Sequence, residues 1–221
     1  MTDTNSGYFI AGTAFTAPPL DPGLYVVATP IGNLRDITIR ALETLAAASV
    51  ILCEDTRQSA RLLDHYGIRG RRIALHEHNE RAKADDIVRR VAAGEAIALI
   101  SDAGTPLLSD PGFPLIRALA EAGQPVFPIP GASALLSALV IAGLPTDAFA
   151  FHGFLPSKAG TRANALKALR DSRETLVFYE SPRRLGAVLA DMAGVFGGER
   201  QAVVALELTK KFERFVAGTL S

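Results

Sequence analysis

Between Leu24 and Ile129 short apolar runs alternate with helix-spaced stretches, and this alternation limits the possible folds more than any other feature of the chain. The runs Leu24–Thr29, Ser49–Cys53, Arg72–Leu75, Ala96–Ile100 and Pro125–Ile129 read as strands buried on both faces. Each is followed by a helical pattern. Thr38 is placed to cap a helix reaching about Ala48, and Thr56–Tyr66 is stopped by Gly67. A charged helix covers about Asn79–Ala93, Pro114–Ala122 has a proline suited to a helix start, and Ala132–Ala142 closes the series. Five strand–helix repeats predict a mainly parallel five-stranded sheet with helices on both faces.

The punctuation Gly143-Leu144-Pro145-Thr146-Asp147 predicts a joint between two domains, 23–143 and 148–221. The second contains strands Phe149–Phe151, Leu176–Tyr179 and Ala202–Leu206, with helices Arg162–Arg170 and Arg184–Phe196. The fold class expected is α/β, two α/β/α domains with a cofactor cleft between them. A last strand-like piece, Arg214–Ala217, has no evident partner, which predicts a second domain lacking its last elements. Residues 1–22, with Pro18, Pro19 and Pro22, read as a flexible N-terminal arm.

Lys+Arg and Asp+Glu number 23 each, so no overall basic charge advertises nucleic acid, although a local basic patch would serve. The single cysteine, Cys53, rules out an internal disulfide and any multi-cysteine metal site. No Lys or Arg precedes Arg35, which argues against a secretory signal with a basic start. The longest apolar stretch, roughly 132–144, is too short to span a bilayer. A cytoplasmic protein is expected.

Chemistry should gather at the carboxyl ends of the parallel strands, where open α/β sheets bind ligands. Three loops there share a character: Thr29-Pro30-Ile31-Gly32-Asn33, Pro130-Gly131-Ala132-Ser133-Ala134 and the long segment Ser101–Gly112 (SDAGTPLLSDPG). Glycines admit close backbone approach, prolines stiffen, and hydroxyls and carboxylates grip polar groups. Neither G-x-G-x-x-G nor G-x-x-x-x-G-K-[ST] occurs in these loops, which disfavours a pyrophosphate ligand. An adenosine without phosphates fits better, as in S-adenosylmethionine.

Glu54 and Asp55 follow the second strand on the same edge. Either one faces a substrate as a base, or Asp55 caps the next helix. Arg57 either clamps a phosphate or balances those acids. His76, His78, Asn79 and Glu80 follow the third strand and either line a nucleic-acid side or cap the next helix. Their spacing is not H-E-x-x-H and no further ligand cluster is evident, so no metal is expected. Lys210 and Lys211, with Arg162, Lys167, Arg183 and Arg184, either contact a phosphate backbone or are solvated surface. Phe151 and Phe154 read as core or cleft wall.

An ordered set of segments carries a family resemblance: Thr29-Pro30-Ile31-Gly32-Asn33-Leu34, Cys53-Glu54-Asp55-Thr56-Arg57, His76-Glu77-His78-Asn79-Glu80, Ser101–Gly112, Pro130-Gly131-Ala132-Ser133-Ala134, Phe151-His152-Gly153-Phe154-Leu155-Pro156 and Tyr179-Glu180-Ser181-Pro182. Together they resemble the tetrapyrrole methylase superfamily, and within it the small-subunit ribosomal RNA methyltransferase I branch. The resemblance runs from about Leu24 to Leu220, and it lacks the branch's usual C-terminal extension. It implies S-adenosylmethionine-dependent 2′-O-methylation of a cytidine ribose in the decoding region of 16S ribosomal RNA. It also implies a homodimer, acting on RNA that belongs to the assembled small subunit, with the donor folded in the cleft between the domains. Carried over, the donor-binding residues are Pro30, Ser101, Asp102, Ala103, Gly104, Thr105, Pro106, Ser133 and Ala134. From the second domain Tyr179, Glu180, Leu208 and Thr209 join them. The superfamily often has Gly-Asp-Pro where this chain has Gly104-Thr105-Pro106. Two competing readings stay open: methylation of a corrin or other tetrapyrrole, and a non-catalytic module that binds S-adenosylmethionine or RNA.

Overall fold

The computed structural model describes residues 6–221, and the chain divides into two compact units at Ser133/Ala134.

The first unit is built on five parallel strands, β3 (Gly23–Val27), β4 (Val50–Cys53), β5 (Arg71–Ala74), β6 (Ala96–Ile100) and β7 (Val126–Ile129), arranged β5-β4-β6-β3-β7. Helices α1 (Ile39–Ala47), α2 (Thr56–His65), α3 (Glu80–Ala92) and α4 (Phe113–Glu121) connect them. Strand periodicity sorts the side chains between two cores. Tyr25, Ile51, Cys53, Ala98 and Ile100 meet Leu42 and Leu45 of α1 and Leu62 and Leu63 of α2. Their neighbours Leu24, Val50, Leu52, Ile97 and Leu99 meet Ile87 and Val91 of α3 and Leu115 and Leu119 of α4. The strands are therefore apolar on both faces because both faces are covered, as the sequence pattern predicts. Pro128 is accommodated because β7 stands at the edge of this sheet, beside β3, among the described residues, so its missing N–H breaks no central ladder.

Two expectations for this part of the chain are revised. The segment expected as a flexible arm instead contains a hairpin, β1 (Gly7–Ile10) and β2 (Thr13–Thr16), while residues 1–5 lie outside the described residues. Tyr8 is buried in the first core, and the Phe9 N–H donates to the Tyr66 carbonyl at 2.8 Å, near the end of α2. Tyr8 and Ala17 gave the segment something to bury, which outweighs the prolines after it. The helix expected to close the first domain, α5 (Ala134–Ile141), belongs to the second unit. It is apolar all round, and Leu135 and Leu139 line a cavity of that unit.

The second unit continues with β8 (Phe149–Phe154), α6 (Ala159–Lys167), β9 (Thr175–Tyr179), α7 (Leu185–Phe196), β10 (Gln201–Leu206) and β11 (Arg214–Thr219). β8 and β9 are parallel, whereas β10 and β11 form an antiparallel pair. The terminal strand therefore does have a partner, from Gln201↔Thr219 to Leu206↔Arg214. A strand long enough to pair with its neighbour through a short connection reads locally like an isolated one. The core is small, formed by Leu155, Leu166, Val188 and Met192. An apolar cavity of about 780 Å³ is lined by residues of α5, β9, α7 and β10.

Candidate methyl-donor site

Parallel strands send all their following loops to one edge, and the strand order decides which loops become neighbours. β3 lies between β6 and β7, so the loops after these three strands meet. The Thr29 N–H donates to the Gly104 carbonyl at 2.8 Å, and the Gly104 N–H donates back to Thr29 at 3.0 Å. The buried Thr29 hydroxyl donates to the Ser101 carbonyl at 3.3 Å, and the Thr105 hydroxyl to the Ala132 carbonyl at 3.2 Å. Gly104 adopts φ +83°, which the pairing with Thr29 requires and which glycine adopts without penalty. Leu107 and Ser109 hold φ of +72° and +71°, a conformation that costs a non-glycine residue free energy and that concentrates at functional loops. Thr29, Ser101, Gly104, Thr105 and Ala132 are thus stitched together, and Pro30, Asp102, Ala103, Pro106 and Ser133 are their neighbours in the chain. Ala134 opens α5.

On the other side of β6 stands β4, and its loop supplies carboxylates. Asp102 accepts the Asp55 N–H at 3.2 Å through one oxygen and the Gln58 side-chain amide at 2.8 Å through the other. Burial raises the pKa of Asp102, an effect opposed by the Asp55 N–H and reinforced by the Asp55 charge. Asp110 is also raised, first by burial and then by Asp102, against a lowering hydrogen bond from Ser101. Glu54 is raised by burial and by Asp102, Asp110, Glu77 and Asp55 together. Five carboxylates so gathered make an acidic edge poorly suited to phosphate.

Several predicted residues have other work. Asp55 takes the capping role: its carboxylate accepts the Arg57 N–H at 2.7 Å at the start of α2. Arg57 itself is exposed, as are Glu77 and His78. Asn79 turns inward, accepting the His76 N–H at 3.0 Å and donating to the Ala74 carbonyl at 3.2 Å. It occupies the N-cap of α3 without a capping bond. Glu80 is buried and accepts the Gly112 N–H at 2.7 Å, so it does not line a nucleic-acid face.

In the second unit Tyr179 packs edge-on against Phe151 and Phe154, with centroids 4.8 and 5.7 Å away, and Phe154 and Tyr179 line the cavity. Glu180 accepts the Ser181 N–H at 2.7 Å and pairs with Arg184 at 3.1 Å. Arg184 also donates to the Leu155 carbonyl at 2.8 Å. Arg162 is 6% exposed, pairs with Asp191 at 2.6 Å and donates to the Ser157 carbonyl at 3.1 Å. Both arginines hold the unit's own backbone; Arg162 is buried, whereas 31% of the Arg184 side chain is exposed. Leu208 lines the cavity, and Thr209, at φ +64°, donates its N–H to the Glu213 carboxylate. Lys210 pairs with Glu207 at 3.3 Å, and the Lys211 ammonium lies 5.5 Å from the Phe212 ring centroid.

Sequence reading missed Thr29, Gln58, Glu77 and Asp110 as parts of the site. Asp110 lies inside the recognised loop and could have been found there. Thr29 heads the first of the three loops, although its partners lie far away in the chain; nothing local marks Gln58.

Residues 23–221 match the family model of tetrapyrrole (corrin/porphyrin) methylases. The chain belongs to this methylase family. The matched span begins at β3, so the β1–β2 hairpin precedes the family's common part. Among curated relatives the chain is 54% identical over 211 residues to "Ribosomal RNA small subunit methyltransferase I" of Mesorhizobium japonicum, covering 96% of this chain and 72% of the relative. It is 55% identical over 190 residues to the protein of the same name from Pseudomonas aeruginosa, covering 86% and 67%. Among solved structures, uroporphyrin-III C-methyl transferase from Thermus thermophilus complexed with S-adenyl homocysteine aligns with TM-score 0.61 at 19% identity, over 90% of this chain and 88% of that one. That likeness establishes the methylase fold for this chain.

Proposed function

We propose that the chain is an S-adenosylmethionine-dependent methyltransferase that modifies the 2′-hydroxyl of a cytidine ribose in the decoding region of small-subunit ribosomal RNA. The observation that carries this reading is the 54% identity along 96% of the chain to a relative named for ribosomal RNA small subunit methylation. The stitched loops suit the donor. They offer backbone groups and small side chains, and the acidic edge of Glu54, Asp55, Glu77, Asp102 and Asp110 favours a cationic sulfonium over a phosphate. In the first unit we assign donor contacts to Pro30, Ser101–Pro106 and Ser133; in the second, to Ala134, Tyr179, Glu180, Leu208 and Thr209.

When bound, the donor supplies an electrophilic methyl group. The chain's task is alignment and proton removal. With Asp55 engaged as a helix cap, Glu54 is the better proton acceptor: its raised proton affinity suits it to take the hydroxyl proton as the C–O bond forms and the C–S bond breaks. Arg57, His78, Lys210 and Lys211 remain the candidates to meet the RNA. The exposed apolar residues Val140 and Ile141 of α5 support a homodimer, and the substrate argues for the cytoplasm and for RNA within the assembled small subunit.

The test is to incubate the chain with methyl-labelled donor and unmodified small subunits and map the labelled nucleotide. Label on a cytidine ribose is expected. Label on a base, or only on a tetrapyrrole offered in its place, overturns the assignment. Glu54→Gln should lower kcat by roughly 10²–10⁴-fold with the affinity for S-adenosylhomocysteine unchanged.

A further inference from the structure

The loop from Ser101 to Gly112 is fixed differently at its two halves. Its first half is stitched by backbone and hydroxyl groups to Thr29 and Ala132. Its second half contains the left-handed residues Leu107 and Ser109 and ends at Gly112, the N-cap of α4. Gly112 has no side chain with which to cap that helix, and its φ is +128°. A Cβ there would lie 3.1 Å from Leu99 Cδ2, so this point of the chain is pressed against β6. The partner of its N–H is the Glu80 carboxylate at 2.7 Å, from a residue 32 positions earlier and 9% exposed.

Glu80 occupies the first turn of α3 and reaches the first turn of α4, so it sits at the amino ends of two helices, where the backbone dipoles favour an anion. Its bond to the Gly112 amide ties two elements 32 positions apart in the chain. Without it, the segment that carries the left-handed residues at 107 and 109 loses a long-range tie at its far end, and the conformations they hold are ones that L-residues otherwise avoid.

We propose that Glu80 is a positioning residue for the methyl-donor site: it latches the far end of the Ser101–Gly112 loop to α3 and keeps Ser101–Pro106 in the binding conformation. This rests on the donor reading given above. The latch touches no donor itself, so its loss should appear in donor affinity and loop mobility and spare the chemical step.

The experiment compares the full chain with Glu80→Ala and Glu80→Gln. S-adenosylhomocysteine is titrated by calorimetry, and amide exchange is followed across 101–112. Glu80→Ala should raise the Kd about tenfold, speed exchange at 106–112, and raise the donor KM with kcat at saturation unchanged. Glu80→Gln keeps an acceptor oxygen in place and should recover most of the affinity. If Glu80→Ala does not fold, Glu80→Asp, which withdraws the oxygen by one methylene, carries the same expectations. A variant that melts earlier but binds as the wild type does, or a glutamine no better than alanine, overturns the latch. Failure of the wild-type chain to bind S-adenosylhomocysteine instead defeats the donor reading, and the latch with it.

Discussion

Replacing Gly104 by alanine tests whether the stitched loops form the donor site. The residue holds φ +83°, and a left-handed conformation costs an L-residue about 1–2 kcal/mol. An added Cβ would stand 3.2 Å from Ile31 Cγ2, tighter than ordinary contact, so Ile31 must yield. Rotation to negative φ would relieve both problems at the expense of the two backbone bonds to Thr29, at 2.8 and 3.0 Å. Each of those is worth about 0.5–1.5 kcal/mol net, so escape costs as much as the strain. Losing both bonds costs about 1–3 kcal/mol, so the chain has no cheaper escape from the strain and the loss of stability should be about 1–2 kcal/mol, a fall in Tm of roughly 2–8 °C for a chain of this size. Scanning calorimetry reads this, and titration with S-adenosylhomocysteine reads the site. Gly123→Ala is the control: φ there is +64°, no atom lies within 4 Å of the added carbon, and the residue follows α4 at the opposite edge of the sheet. It should lower Tm comparably and leave donor affinity intact. A wild-type Tm for Gly104→Ala, or an equal loss of donor affinity in both variants, would refute the reasoning.

Glu54 should also govern the pH dependence of stability. Its folded-state proton affinity is raised, so the folded chain keeps the proton longer than the unfolded one, and stability declines as pH climbs through the interval between the two values. Glu54→Gln should accordingly melt higher than wild type at neutral pH, with the advantage vanishing below the ordinary carboxyl range of about 4.3; a variant that melts lower at neutral pH contradicts the acidic edge. Asp191→Ala strands the Arg162 guanidinium, whose side chain is 8% exposed, while Asp191 keeps a third of its own side chain in water. A loss of about 2–4 kcal/mol is expected, below the full range for a wholly buried pair, and denaturant unfolding would measure it; a neutral result would return Arg162 to the surface.

Much of this was legible in the chain. Leu24, Ile51, Leu52, Ile97 and Leu99 lie in runs apolar at every position, and only a sheet covered on both faces uses such strands. Thr38 capped the helix expected of it, with its hydroxyl accepting the Ala41 N–H at 3.1 Å. The Ser101–Gly112 loop stood out because glycine, proline and hydroxyl residues follow directly on a buried strand. Other residues were ambiguous because one chemical type serves two purposes. Asp55 could cap or catalyse, and it caps; Arg162 could meet phosphate or pair internally, and it pairs with Asp191. Tyr8 was hidden behind prolines that signal an arm, although the residue is 3% exposed.

The sequence by itself determined the succession of strands and helices, the burial of both sheet faces and the edge at which the loops collect, because these follow from periodicity within a few residues. Tertiary structure alone decided which loops touch. Thr29 meets Gly104 across 75 positions, Asp55 meets Asp102 across 47 and Glu80 meets Gly112 across 32. Those meetings depend on the order β5-β4-β6-β3-β7 and the packing of α3 beside α4. That order comes from how whole elements share two cores, and no short stretch of residues encodes it.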